Sequence, residues 1–201
     1  MDNNIIKNNE IGEYREKGSI FTSFSFSVHT FPEIKKYLIQ LKTEYSDASH
    51  ICYAYRIINN NVIDEFSTDA GEPKGSSGIP ILNQLKRHEL VNTSIFVVRY
   101  FGGSKLGIPG LINAYGLSAL DCLKKSQVIP WVKTDIFEII SNYESFGLVE
   151  KIINLYQGKL LEKDFKENIT LQVEIIQKSA NKFKQEFNEF RYVKINQLNL
   201  N

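Results

Sequence analysis

Aromatic and small polar residues alternate between Ser19 and Val28. Phe24, Phe26 and Val28 are set against Ser23, Ser25 and Ser27, the period of a half-buried strand. Thr30-Phe31-Pro32-Glu33 reads as a capping box with proline in the first helical turn. Ile34, Tyr37, Leu38, Leu41 and Tyr45 share one face of the helix behind it. Residues 51–58 and 62–66 form two strands folded about Asn59-Asn60-Asn61, a run that tolerates left-handed turns. Ile95-Phe96-Val97-Val98, within residues 94–100, marks a strand buried on both faces. Helices are expected from Pro80 to Arg87 and from about Leu111 to Lys125, whereas the polar, Asn-rich residues 1–12 predict only a ragged entry.

Pro130-Trp131 interrupts this pattern, and beyond it the periods run strand, helix, strand, strand, helix, strand. Residues 135–140 are extended; Phe146, Val149, Ile152, Ile153 and Tyr156 make a helical face that Gly158 terminates. Ile169, Leu171, Val173 and Ile175 alternate with polar residues, Phe183, Phe187 and Phe190 have helical spacing, and Val193 with Ile195 gives a last strand. The order βαββαβ is the ferredoxin-like unit. The expectation is an α+β chain with domains over 1–130 and 131–201.

Two glycine loops carry the candidate chemistry. One is Asp69-Ala70-Gly71-Glu72-Pro73-Lys74-Gly75-Ser76-Ser77-Gly78-Ile79-Pro80. The other is Arg99-Tyr100-Phe101-Gly102-Gly103-Ser104-Lys105-Leu106-Gly107-Ile108-Pro109-Gly110. Each leads into a helix N-terminus, where unpaired N–H groups and the helix dipole favour an anion. Ser76, Ser77 and Ser104 add hydroxyl donors, and Lys74, Arg99 and Lys105 add positive charge. Turn-making alone is the competing account of such glycines. Neither loop matches the GxxxxGK[ST] phosphate loop or the GxGxxG dinucleotide fingerprint.

Charge sharpens this. The chain of 201 residues has 24 Lys and Arg against 23 Asp and Glu, a formal +1, which excludes a protein that coats polyanions through bulk charge. Yet residues 74–120 contain five basic side chains and one acid, Glu89, a local +4. Two cysteines, Cys52 and Cys122, suit a reducing compartment. With no apolar run near the roughly 20 residues of a membrane span and no secretion-signal pattern at Met1-Asp2-Asn3-Asn4, a cytoplasmic protein without membrane association is expected.

Catalytic patterns are sparse. His50 and Cys52, two apart on a strand, face one side as a metal or nucleophile pair, or Cys52 is simply a buried core thiol. Asp69 and Glu72 either hold Mg²⁺ beside a phosphate or cap loop amides. Tyr53, Tyr55, Tyr100 and Phe101 either stack on bases or pack the sheet.

Several of these segments together resemble the IMPACT family, in its bacterial YigZ branch. They are Asp47-Ala48-Ser49-His50-Ile51-Cys52-Tyr53-Ala54-Tyr55-Arg56, Gly71-Glu72-Pro73, Gly75-Ser76-Ser77-Gly78, Pro80-Ile81-Leu82 and Val97-Val98-Arg99-Tyr100-Phe101-Gly102-Gly103-Ser104-Lys105-Leu106-Gly107. The similarity continues through Gly110-Leu111 and Ala114-Tyr115-Gly116. The resemblance implies an N-terminal ribosomal-protein-S-five domain-two-like fold, shared with translation factors and GHMP kinases. It also implies a C-terminal ferredoxin-like domain similar to the last domain of elongation factor G. Eukaryotic members regulate translation on the starvation-response pathway, and nucleic-acid or ribosome binding is suggested for bacterial members by their fold. Three positions depart from the family pattern. Gly107-Ile108-Pro109-Gly110 replaces a Thr-Gly-Gly-type run, Asn113 stands where Arg is common, and Ala70 stands where an acid is common. The missing Arg weakens a phosphate clamp, and the missing acid weakens a metal site at Asp69.

The expected function is a non-enzymatic, translation-associated regulator that binds RNA or a ribosomal surface, with no cofactor and no metal. The binding set is Lys74, Gly75, Ser76, Ser77, Gly78, Arg99, Tyr100, Gly102, Gly103, Ser104, Lys105, Gly107 and Gly110, with His50, Asp69, Glu72 and Asn113 accessory. Two alternatives stay open: an enzyme acting on a small phosphorylated ligand or nucleotide at the same loops, and a protein-binding regulator without nucleic-acid contact.

Overall fold

The computed structural model describes residues 3–59 and 62–198, in two compact units, Met1–Trp131 and Val132–Asn201. The first unit runs β1 (Asn4–Ile6), β2 (Glu10–Glu16), β3 (Ser19–Ser27), α1 (Phe31–Glu44), β4 (His50–Asn59) and β5 (Val62–Thr68). It continues through α2 (Gly78–Arg87), β6 (Thr93–Tyr100), α3 (Gly107–Lys125) and β7 (Val128–Pro130). Five strands pair antiparallel in the order β2-β3-β6-β4-β5. Helix α1 covers the face carrying Phe24, Tyr55, Phe96 and Val98; α2 and α3 cover the face carrying Phe21, Cys52, Ala54 and Val97. That double cover explains the unbroken apolar run of β6.

The sequence pattern underestimates the burial of β3. Ser23 and Ser25 face α3, not water: the Ser23 hydroxyl donates to the Ser118 carbonyl at 2.6 Å, and the Ser118 hydroxyl donates to the Phe21 carbonyl at 2.9 Å. Small, mutually satisfied hydroxyls let the helix lie close to the strand. The expected ragged entry is also corrected, because residues 4–16 form two strands. Asn4 exchanges backbone bonds with Glu89 and Val91, β1 pairs with β7, and Ile6 enters the core. The partners of β1 lie so far along the chain that no local period could announce them. The Thr30 side chain makes no cap bond; the Glu33 carboxylate instead accepts from the His29 amide at 2.8 Å, one residue early. Helices α2 and α3 start before their expected positions, with Pro80 and Pro109 inside the first turn, where no amide donor is needed. Of the expected Asn59-Asn60-Asn61 turn, Asn60 and Asn61 lie outside the described residues.

The second unit runs β8 (Thr134–Ser141), α4 (Phe146–Leu155), β9 (Lys159–Phe165), β10 (Ile169–Ile176), α5 (Gln177–Gln185) and β11 (Val193–Leu198). Its antiparallel order β11-β8-β10-β9 is the ferredoxin-like arrangement. Ile169, Leu171, Val173 and Ile175 are all buried under the helices with Phe137, Ile139 and Phe183. Helix α5 ends before Phe187 and Phe190, which stay in the aromatic cluster from turns. Gln157 (φ +53°), not Gly158, takes the left-handed position after α4. Gly158 is instead needed for space, since a Cβ there would lie 2.7 Å from Ile175 Cδ1. Among the described residues no helix is long and apolar enough to cross a membrane.

Candidate functional site

The first glycine loop, between β5 and α2, is closed on itself. Asp69 follows β5 directly and folds its carboxylate back over the loop. Oδ2 accepts from the Gly75 amide at 2.7 Å. Oδ1 accepts from the Ser77 amide at 3.0 Å, the Gly78 amide at 2.9 Å and the Ser77 hydroxyl at 2.9 Å. Asp69 therefore occupies the anion position that the α2 N-terminus creates. Burial alone would push its carboxyl up, but the amides of Gly75, Gly78 and Ser77 and the Ser77 hydroxyl outweigh that and hold it below the usual carboxylate range. The Ser76 hydroxyl is turned inward, donating to the Pro73 carbonyl at 2.7 Å. The amides of Gly75, Ser77 and Gly78, expected to meet a phosphate, meet Asp69 instead, and Lys74 is left as the exposed cation of this loop.

Beneath the loop Glu72 is buried with Arg99. Glu72 Oε1 lies 2.5 Å from Arg99 Nη1 and accepts from the Tyr115 hydroxyl of α3 at 2.8 Å. The guanidinium carbon sits 5.4 Å from the Phe21 ring centre and 5.6 Å from that of Phe101. Arg99, expected as a surface cation, is thus an interior one, paired because a lone charge there would be costly. The Cys52 thiol lies 3.4 Å from the Tyr115 hydroxyl and 3.0 Å from the Asp69 carbonyl. Burial pushes the thiol up to about 11 and carries the Tyr115 hydroxyl higher still, so neither ionises at neutral pH. Cys52 is a core thiol, not a nucleophile. His50 stands opposite Arg99 in the β4–β6 ladder and bonds the Ala70 carbonyl through Nδ1 at 2.9 Å. His50 and Cys52 share a face but serve different partners. Among the described residues no three His, Cys, Asp or Glu side chains converge as metal ligands.

The second loop, between β6 and α3, is anchored at one end and solvent-exposed at the other. The Phe101 amide donates to Ser49 Oγ and the Gly102 amide to Ser19 Oγ, both at 3.1 Å. Gly102 presses on the β2–β3 turn so closely that a Cβ would lie 1.9 Å from the Gly18 carbonyl carbon. Past this anchor Gly103 (φ +85°), Ser104 and Lys105 are exposed, and among the described residues nothing accepts from their amides. Exposed Gly107 and Ile108 begin α3, whose first turn has no acid. Gly110 is half-buried against Leu106, and Asn113 is exposed one turn on. Tyr100 departs from the expected group: it projects to the sheet face opposite Arg99 and donates to Asp47 at 2.6 Å.

Folding also changes the charge. Asp69 and Glu72 lie just before the basic segment and return onto it, reducing its +4 to +2 over residues 69–120. In compensation, exposed Lys17 on the β2–β3 turn is brought beside the second loop. Lys17, Ser19, Ser49 and Tyr115 were not among the expected site residues. Lys17-Gly18 signals a hairpin turn but not what it abuts, and Tyr115 carries a signal only through its Ala-Tyr-Gly context.

The Impact N-terminal domain is matched over residues 17–123. The IMPACT family member YvyE of Bacillus subtilis (strain 168) is 34% identical over 177 residues, 87% of this chain and 81% of that protein. The IMPACT family member YigZ of Escherichia coli (strain K12) is 30% identical over 142 residues, 69% of each chain. Among solved structures, the crystal structure of a hypothetical protein aligns with a TM-score of 0.71 over 100% of both chains at 22% identity, a likeness of fold.

Proposed function

Since the chain belongs to the IMPACT family, we propose that it is a translation-associated regulator whose second glycine loop contacts the phosphates of RNA or a ribosomal surface. The observation that carries the reading is the contrast between two similar helix entrances. One is filled by Asp69; the other presents the exposed residues Gly103, Ser104, Lys105, Gly107 and Ile108 beside Lys17, and among the described residues no carboxylate accepts from the Gly103, Ser104 or Lys105 amides. Such an arrangement positions a phosphate without reading a base. Co-sedimentation with ribosomes across a salt series tests it. If Lys105 and Lys17 each neutralise one phosphate of a single strand, the logarithmic salt slope is about −1.4. Lys105→Glu combined with Lys17→Glu should abolish most of the association; equal sedimentation of the variant and the parent rejects the reading.

A protein partner for the second unit is the second reading, favoured by the sheet face away from the helices. Strand register places Glu138, Glu162, Asp164 and Glu174 on that face with Lys159 and Lys194, and Lys166 pairs with Asp164 at 2.8 Å, so the face keeps a slight acidic excess that disfavours a phosphate backbone. A pull-down from RNase-treated lysate tests it: a partner lost when Glu138 and Glu174 become lysine supports it, and retention of the same partner opposes it.

A further inference from the structure

Arg99 has a guanidinium nitrogen, Nε, for which the described residues supply no acceptor. The residue is 6% exposed and Nη1 is taken by Glu72, yet the buried Nε has no hydrogen-bond partner among the described residues. The other buried side-chain atoms in this condition are of a different kind. Arg56 Nε lies 3.4 Å from a Glu65 carboxylate oxygen, and Ser94 and Ser141 present neutral hydroxyls that rotate freely. A charged donor held in the interior without an acceptor calls for a reason.

The surroundings suggest one. The guanidinium carbon lies against both the Phe21 and the Phe101 ring, apolar neighbours that offer its N–H groups no acceptor. Phe21 is fully buried, whereas Phe101 is 50% exposed and opens the solvent-exposed loop, so Phe101 is the wall that borders solvent. His50 lies opposite on the neighbouring strand with Nδ1 engaged, leaving Nε2 as its free ring nitrogen. Tyr115 donates to the same Glu72 oxygen as Arg99, so Glu72 does not serve Arg99 alone.

We propose that the Nε edge of Arg99 anchors a site for a small oxyanion-bearing molecule, a carboxylate or a phosphate monoester, admitted by displacement of the Phe101 ring. The two parallel N–H groups of that edge match two oxygens of either group. Enclosure of Nε excludes a polymer phosphate, which distinguishes this site from the loop contact; it uses none of Lys17, Gly103, Ser104 or Lys105.

The direct test follows the Arg99 Nε–H resonance of the full chain by NMR. Inorganic phosphate and acetate are titrated separately at constant ionic strength, with chloride as control. The expected result is a saturable shift with one or both oxyanions and none with chloride, the responding anion naming the ligand class. Phe101→Ala should quicken exchange of that proton with water at least tenfold. Arg99→Lys, which keeps the charge facing Glu72 but removes the edge, should weaken anion binding roughly tenfold and leave ribosome co-sedimentation unchanged. A resonance unmoved by both anions overturns the proposal, as does exchange unaltered by Phe101→Ala. Loss of ribosome binding in a folded Arg99→Lys protein would instead assign the edge to polymer phosphate. Where Arg99→Lys fails to fold, the wild-type titration decides alone.

Discussion

The two glycine loops begin from similar material, glycines and serines with one lysine ahead of a helix, yet they end as different devices. The loop into α2 has its own anion: the Asp69 carboxylate gathers three amides and a hydroxyl, and Glu72 beneath it locks Arg99 and Tyr115 into one buried network. The loop into α3 spends its first two amides on Ser49 and Ser19 and leaves the following ones exposed. A helix N-terminus is therefore not informative about ligands until its internal acceptors are known. What separates the loops is one carboxylate's position.

If the first loop is structural, its charged member should be the costliest to remove. Glu72→Ala leaves Arg99 buried without a counter-charge and should lower stability by about 3–5 kcal/mol, measured by urea unfolding. A loss below about 1 kcal/mol would mean the network is dispensable.

The anchor of the second loop should come next. Gly102→Ala forces a Cβ onto the Gly18 backbone and should cost about 3 kcal/mol. Gly103→Ala meets no atom within 4 Å, so only its positive φ opposes it, at about 1 kcal/mol. Equal penalties at the two positions would erase the division into anchor and exposed tip.

Asp69→Asn should cost about 1–2 kcal/mol, as loss of a helix cap does. It also changes the acid response. Because the folded Asp69 carboxyl is held below its ordinary range, its stabilisation is fully present above the unfolded value near ~3.9 and disappears as pH falls through the lower folded value. Thermal melts from neutral to acid pH should therefore show a shallower acid decline in the variant than in the parent.

Smallest in stability are the surface lysines. Lys105→Glu should move the urea midpoint by less than about 0.5 kcal/mol equivalent while weakening ribosome association. Lys74→Glu, on the closed loop, should affect both less. Cys52 offers a last check on closure. With its thiol pushed up to about 11 under the first loop, it should resist alkylation at neutral pH until the protein unfolds.

Much of the fold was legible because its signals are local. The alternation at Ile169, Leu171, Val173 and Ile175, the helical face of Ile34 and Leu41 and the apolar run of β6 each follow from periods of two or 3.6 residues. Strand β1 had no such signal, and β9 was expected from the strand–helix–strand–strand order without residues that fixed its bounds. Asn4–Ile6 is ordered by Glu89, Val91 and β7, and Lys159–Phe165 is an edge strand exposed along its whole length. For the site, the sequence marked the two loops and their residue types. It did not reveal that Arg99 turns inward to Glu72, that Tyr100 faces away, or that Lys17 arrives from another hairpin.

Residues near one another and contiguous motifs were enough to give the order of elements from β3 to α3 and from β8 to β11, the α+β class and the family. Which helix entrance remains exposed depends instead on contacts between segments far apart along the chain. Arg99 meets Glu72 and Phe101 meets Ser49 only when β4, β6 and the loops come together. Even Asp69, close in sequence to Gly78, caps α2 only because β5 delivers it with the chain folded back. A backbone donor's availability depends on where acceptors end up in space, and spacing along the chain does not specify that.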